Sequence, residues 1–249
     1  MRESPPAPTT MRAPTPGAPE KTAVRSMFDR IAPRYDLLNR VLSAGTDVRW
    51  RRRAVDLLDL APPARVLDLC AGTADGLLEA LRRDRRIRGL GIDLSHAMLV
   101  RGARKLERGG HETRAALVQG DGEHLPLRDG LFDGALVAFG IRNVADPVRA
   151  MREVRRVLRP RGRLVVLEFS MPGGGLGVLY RLYFRRLLPR LGGLVSGDGS
   201  AYSYLPASVA RFPTPGAFAS LMEEAGFVGV HWTLLTGGIA CLHRGERES

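Results

Sequence analysis

The stretch "ARVLDLCAGTADG", Ala64 to Gly76, decides the fold. "ARVLDLC" is an apolar run of strand length, and the glycine-bearing turn after it opens into "DGLLEALRRD", whose apolar residues recur at helical spacing. A strand that turns through glycine into a helix begins a β-α-β unit. Gly72 lets the backbone turn sharply without a Cβ, and the helix after it offers free N–H groups to a negatively charged group of a ligand. The stretch is not the dinucleotide fingerprint G-x-G-x-x-G, because Ala74 stands where a second glycine would be. Alone, it reads equally well as a bare strand-to-helix turn.

Downstream, "RGLGIDL", "AALVQGD", "FDGALVAFG" and "GRLVVLEFS" repeat the strand pattern, separated by the helical "SHAMLVRGARKLERG" and "DPVRAMREVRRVLRP". Strands alternating with helices predict an α/β fold, a parallel sheet with helices on both faces. After a further helix, "TPGAFASLMEEAG", the runs "FVGVHWTLL" and "GIACLHR" close the sheet as an antiparallel hairpin across "TGG". Upstream, residues 21–60 hold two or three short helices, broken at Pro33 and at "SAGTD". One domain is expected over 21–249, with a glycine- and aromatic-rich insertion at 171–213. Residues 1–20 are Pro-, Thr- and Ala-rich without an apolar h-region, and are expected to be a disordered tail.

In an open parallel sheet, ligands bind beyond the carboxyl ends of the strands. The first strand ends from Asp68 onward in the Gly72 loop, which makes Asp68 and Gly72 candidate ligand-binding residues. The second ends at Asp93, about 20 to 25 residues after the loop, where an acid accepts hydrogen bonds from both hydroxyls of a ribose. Helix capping by Asp93 or Ser95 is the competing reading. The third ends in "VQGDGEHLP", where Asp121 is placed to accept from an adenine amino group and the Gly122 backbone to contact the ring. Sites for a charged tail, a ribose and a base suit an adenosine cofactor. The fourth, "LVAFGIRNVADP", sets Arg142 and Asn143 side by side at its exit.

Composition narrows the class. The 249 residues, 44% hydrophobic, suffice for one substantial core, and no apolar run approaches the ~20 residues that span a bilayer. A cytoplasmic protein without transmembrane helices is expected. The formal charge of +12 reads either as an anionic-partner footprint or as a compositionally biased, solvated surface, since lysine occurs only at Lys21 and Lys105. The clusters "RWRRR", Arg49 to Arg53, and "YRLYFRRLLPR", from Tyr180, mix arginine with apolar residues as bilayer-surface segments do. Cys70 and Cys241 are read as buried thiols, and no His/Cys/Asp cluster has metal-ligand spacing.

These residues, in this order, resemble the class I S-adenosylmethionine-dependent methyltransferases. "MFDRIAPRYDLLNRVLSAGTDVRWRR", "VLDLCAGTAD", "GIDLSHAML", "DGEHLPLRDGLFDGALVAFGIRNVADP", "REVRRVLRPRGRLVVLEFS" and "LTGGIACLHRG" are similar to the ubiquinone/menaquinone biosynthesis C-methyltransferase family, from about Val24 to Gly245. The resemblance implies a Rossmann-like, mostly parallel seven-stranded sheet. It places S-adenosyl-L-methionine against Thr73, Asp93, Asp121 and Gly122. Two positions depart from the family pattern: Ala74 within "GTAD", and Ala138 where a hydroxyl residue often precedes "FGIRN".

The reaction so implied is methylation of a ring carbon in a reduced polyprenyl quinone precursor. Demethylmenaquinol is the first expectation and the ubiquinone-pathway benzoquinol the alternative. Ionising a ring hydroxyl of ordinary pKa near 10 pushes electron density onto the ring. Arg142 is the candidate that stabilises this phenolate or holds a water that takes the proton, with Asn143 orienting ring or cofactor. Alternatively, Arg142 pairs with an acid such as Asp146 and only shapes the turn. His124, His231 and His243 are further candidate proton acceptors, each with a structural reading beside it. Tyr35 and Asp36 lie on a helix able to fold over the site. Tyr202 and Tyr204, in "SAYSYLP", fall in the insertion, which in this class often caps the substrate and here suits a lipid tail. A lipid quinol, transient contact with the inner face of the membrane and a homo-oligomer are the expected partners. Nucleic acid is not: an RNA acceptor needs an added module or an Asn/Asp-Pro-Pro-aromatic tetrad, where this chain has "AFGIRN". A scaffold that binds the cofactor without turnover is the non-enzymatic reading.

Overall fold

Val66, Leu67 and Leu69 are all buried, because the strand that carries them lies inside a sheet covered on both faces. The computed structural model describes residues 20–43, 45–175, 177 and 199–249, with the side chains of residues 38, 41, 42 and 199–203 excepted. Seven strands, β1 (Arg65–Leu69), β2 (Arg88–Asp93), β3 (Ala115–Gln119), β4 (Phe132–Ala138), β5 (Leu158–Phe169), β6 (Phe227–Leu235) and β7 (Ala240–Arg247), form one sheet in the order β3-β2-β1-β4-β5-β7-β6. The first five run parallel, and β7 lies antiparallel between β5 and β6. The predicted hairpin turns at Thr236–Gly238, but it is its second strand that joins the sheet.

The period of two along each strand divides the core. Val66, Leu136, Val165 and Leu242 meet α3 (Thr46–Leu58), α4 (Asp75–Leu81) and Leu106 of α5 (His96–Arg108). Leu67, Ala135, Leu164 and Val166 face the other way, against Met151 and Val154 of one helix, α6 (Pro147–Val157), and Phe218 and Met222 of another. Those two belong to the last described helix, Pro215–Glu224, numbered α8 after α7 (Gly199–Arg211). The expected helix "DPVRAMREVRRVLRP" stops at Val157. Leu158 is already extended (ψ 149°) and opens β5, two residues ahead of Pro160.

Among the described residues three helices precede the sheet: α1 (Lys21–Ile31), α2 (Tyr35–Leu42) and α3, with a 3-10 turn at Ala32–Arg34 around Pro33. In "RWRRR" the helical period turns Trp50 and Arg51 inward, 5% and 6% exposed, so only part of that cluster is surface. The second basic segment, Tyr180 to Arg190, lies outside the described residues. Of the two cysteines, Cys241 is buried and Cys70 only half-buried. No helix among the described residues is long and apolar enough to cross a membrane.

Candidate active site

Parallel strands bring the ends of β1, β2, β3 and β4 to one edge, and α1 and α2 lie across it. Three polar ties hold them there. Lys21 pairs with Asp121 (2.7 Å) and Glu123 (2.8 Å). Asp29 accepts from the hydroxyl of Ser95 (2.6 Å). Asp36 accepts from Thr73 (2.6 Å) and pairs with Lys105 (2.7 Å), which also donates to Thr73 and Asp75.

Beneath these helices lie three adjoining cavities of about 510, 310 and 720 Å³, counted out to their open mouths. The first, lined by Gly72, Asp93 and Gly140, lies between the other two. It shares Cys70, Asp93 and Asn143 with the second, where Asp121 and Gly122 stand. It shares Phe28, Tyr35 and Phe139 with the third, where Arg142, Arg51, Asn39 and Tyr204 stand. Gly140 has no alternative: a Cβ there would meet that of Cys70 at 2.2 Å. Cys70 and Phe139, the residues just past β1 and β4, both have left-handed backbone (φ 56° and 60°), a strain that collects at functional sites.

Of the two capping candidates it is Ser95 that caps α5, accepting from the Met98 amide (3.2 Å), while Asp93 braces the turn ahead of it. One carboxylate oxygen accepts from the Gly72 amide and the other from the Ser95 amide, each at 2.8 Å. A carboxylate has about four lone-pair directions, so a ribose diol still finds acceptors here. Burial pushes this carboxyl up, against the pull of those amides. Asp121 is half-exposed. Burial pushes it up, but Lys21 and the Glu123 amide outweigh that and hold it below the usual carboxylate range. Cys70 is pushed well up, by burial first and then by the negative charges of Asp93, Asp68 and Glu168. Asp93 is the one carboxylate in the lining common to the first two cavities.

Two residues assigned to the cofactor stand elsewhere. Asp68 lines none of these cavities. It is buried under the loop, where it accepts from the Leu77 amide (2.8 Å) and is pushed up to about 7 by burial. The Thr73 hydroxyl is spent on Asp36 and Lys105.

In the third cavity, Phe139 and Phe169 stack at 4.6 Å between two buried arginines. Arg51 lies 5.3 Å over Phe139 and Arg142 5.5 Å over Phe169. Trp50 packs against both rings and donates to Thr236 (3.0 Å). Arg51 pairs with Asp47. Arg142, its side chain 7% exposed, donates to the Phe139 carbonyl and to Glu168, both at 2.6 Å. The acid beside Arg142 is thus Glu168 and not Asp146, which caps α6 by accepting from the Arg149 amide. Glu168 is fully buried. Burial pushes its carboxyl up, and Arg142 and the Phe169 amide oppose that. Tyr35 has its phenol raised by burial, against the nearby Asn39 amide and the charges of Arg51 and Arg142.

Asn143 accepts from the Tyr204 hydroxyl (2.9 Å), and it is Tyr204 that reaches the site. Tyr202 lies on α7 with its side chain outside the described residues. His124, His231 and His243 line none of the three cavities; His243 is buried on the Pro215 carbonyl. Sequence reasoning missed Glu168, Arg51 and Lys105. Of these, Glu168 left a charge inside the apolar run "LVVLEF" and Arg51 a place on the inward period of its helix, while Lys105 left no signal. Among the described residues no acid, histidine or cysteine cluster is arranged to hold a metal.

Residues 17–247 match the model of the ubiE/COQ5 methyltransferase family. The chain is 51% identical to a demethylmenaquinone methyltransferase of Thermus thermophilus, over 89% of this chain and all of that one. It is 50% identical to a ubiquinone/menaquinone biosynthesis C-methyltransferase, UbiE, of Syntrophotalea carbinolica, over 90% and 94%. Among solved structures, the [4+2]-cyclase SpnF superposes with a TM-score of 0.71 at 19% identity, covering 93% of this chain and 98% of that one. A SAM-dependent methyltransferase of Thermotoga maritima gives 0.62 at 22%, covering 90% and 100%. At these identities the structures share the fold alone.

Proposed function

This chain belongs to the ubiE/COQ5 methyltransferase family, and from that premise we propose that it converts demethylmenaquinol to menaquinol. It is an S-adenosylmethionine-dependent C-methyltransferase of menaquinone or ubiquinone biosynthesis, with a class I, Rossmann-like fold. The observation that carries the finer reading is the third cavity, which adjoins the first along Phe28, Tyr35 and Phe139.

S-adenosylmethionine, when bound, supplies an electrophilic methyl group. Asp93 would hold the ribose, and Asp121 and the Gly122 backbone the adenine. The stacked Phe139 and Phe169 give an aromatic ring an apolar face. Arg142, fixed through one nitrogen by Phe139 and Glu168, keeps its buried Nε–H without a partner for a ring oxygen. A cation there lowers the cost of ionising the quinol and so raises the nucleophilicity of the ring carbon. Asn143, tied to Tyr204, adjoins the cofactor cavities and orients what lies between them. The 171–213 insertion then serves as the substrate cap. For a lipid-tailed substrate the protein works in the cytoplasm and touches the inner membrane face transiently. Leu37, 55% exposed on α2, and Met171, 41% exposed, support such a contact.

Labelled S-adenosylmethionine supplied with reduced demethylmenaquinone and with the ubiquinone precursor should label menaquinol preferentially. Label in neither, with the cofactor still bound, refutes the reading. Arg142→Met should lower turnover at least a hundredfold while cofactor affinity stays within about twofold, as expected when an electrostatic stabiliser is lost. Unchanged turnover would remove Arg142 from the mechanism.

A further inference from the structure

Among the described residues, five buried side-chain atoms lack a hydrogen-bond partner, and two of them, Arg142 Nε and Asn39 Nδ2, belong to residues lining the third cavity. Buried donors are rarely left unpaired, because an unpaired one loses its bond to water and gains none in return. We infer that Asn39 is a substrate-binding residue, which takes one oxygen of a para-dihydroxy aromatic ring while Arg142 takes the other. The inference rests on the quinol reading above and deepens it.

Asn39 stands one helical turn after Tyr35 on α2. The Tyr35 hydroxyl is near but lacks the geometry of a hydrogen bond to its amide nitrogen. The ties from Asp36 to Thr73 and Lys105 fix that helix over the site, so Asn39 is placed by rigid structure. The two donors differ in charge. Arg142 favours an ionised oxygen, whereas a neutral amide is satisfied by a hydroxyl that keeps its proton. The ring is therefore bound as a monoanion with the ionised oxygen at Arg142, which enriches the carbons ortho and para to that oxygen. Recognition of both oxygens also explains selection against a monophenol, since a site built to bond two groups leaves a buried donor unpaired when one is missing.

The test is equilibrium dialysis of the full-length chain, under reducing and anaerobic conditions, with 1,4-dihydroxynaphthalene and with 1-naphthol. Wild type should prefer the diol about tenfold or more. Asn39→Ala and the near-isosteric Asn39→Leu should each lose about tenfold on the diol and stay within twofold on the naphthol. Asn39→Leu should also raise the Tm of the unliganded protein, because an unpaired buried amide is removed, whereas a purely structural asparagine would lower it. Equal loss on both ligands, or no loss on the diol, overturns the assignment. A wild type that methylates quinol yet shows no preference between the probes overturns this inference alone. One that neither binds the probes nor methylates quinol overturns the quinol reading with it.

Discussion

Replacing Gly140 with alanine should force β1 and β4 apart at the site. The added Cβ would stand 2.2 Å from the Cβ of Cys70 and 3.1 Å from its Sγ. Carbon atoms pack at about 3.5–4.0 Å, so the strand ends must separate by about 1.5 Å. The backbone of Gly140 is at φ −117°, which alanine adopts freely, so the whole effect is steric. Overpacking of this kind costs about 1–3 kcal/mol, and a chain of this size loses about 2–4 °C per kcal/mol, so Tm should fall by about 2–12 °C. Because Cys70 and Gly140 both line the first cavity, calorimetry should also show cofactor affinity down about tenfold or more. Cys70→Gly in the same chain removes the colliding Cβ at a position already left-handed (φ 56°), and it should restore both quantities. Cys70→Ala keeps that Cβ and should restore neither. Equal rescue by the two, or a Gly140→Ala protein indistinguishable from wild type, refutes the reasoning.

Asp68 makes a pH-dependent contribution. Burial raises its carboxyl to about 7, so its proton stabilises the fold fully below about 4, and that stabilisation is lost as pH rises through 7. Asp68→Asn still accepts from the Leu77 amide without that loss. Its Tm should therefore gain on wild type between pH 5 and pH 8, and a constant difference would contradict the assignment. Asp93→Asn turns one acceptor into a donor facing a backbone N–H, and should weaken cofactor binding tenfold to a hundredfold in calorimetry; binding within twofold of wild type would place the ribose elsewhere. Lys105→Met unties Asp36 and Thr73 from α5, so KM for quinol should rise severalfold with cofactor affinity little changed. Parallel loss of both would mean that the tie supports the cofactor loop instead.

The strands were legible because sheet burial on both faces leaves continuous apolar runs, and the acids at their ends were legible because charge rarely follows such runs without reason. The β5 boundary was not. "VRRVLRP" continues the helical spacing beyond Val157, and what ends the helix there is the pairing of Leu158 with Phe132 across the sheet. The partner of Arg142 was hidden for a similar reason. Asp146 is near in sequence, but Glu168 comes close only through the register that sets Ala138 against Leu167. Local charge in "RWRRR" suggested a surface, while the period that buries Trp50, Arg51, Ala54 and Val55 on one side was already present in the letters. The inner position of β7 was not legible, because "FVGVHWTLL" reads as a strand to be buried. Val228, Trp232 and Leu234 of β6 are exposed, as outward residues of an edge strand are.

That strand order governs how the chain is completed during synthesis. β6 pairs with β7 alone, and β7 is also the strand that covers the far side of β5. Every residue around the three cavities leaves the ribosome before Ala240. Yet Trp50 is anchored to Thr236, and Ser170, just beyond Phe169, is bonded to Gly238 and Ile239 at the turn between the two strands. The aromatic floor of the site can therefore reach its final packing only when the last strand slides between two neighbours. A nascent chain stalled before Ala240 would carry two open sheet edges, at β5 and β6, where the finished protein has a closed seam.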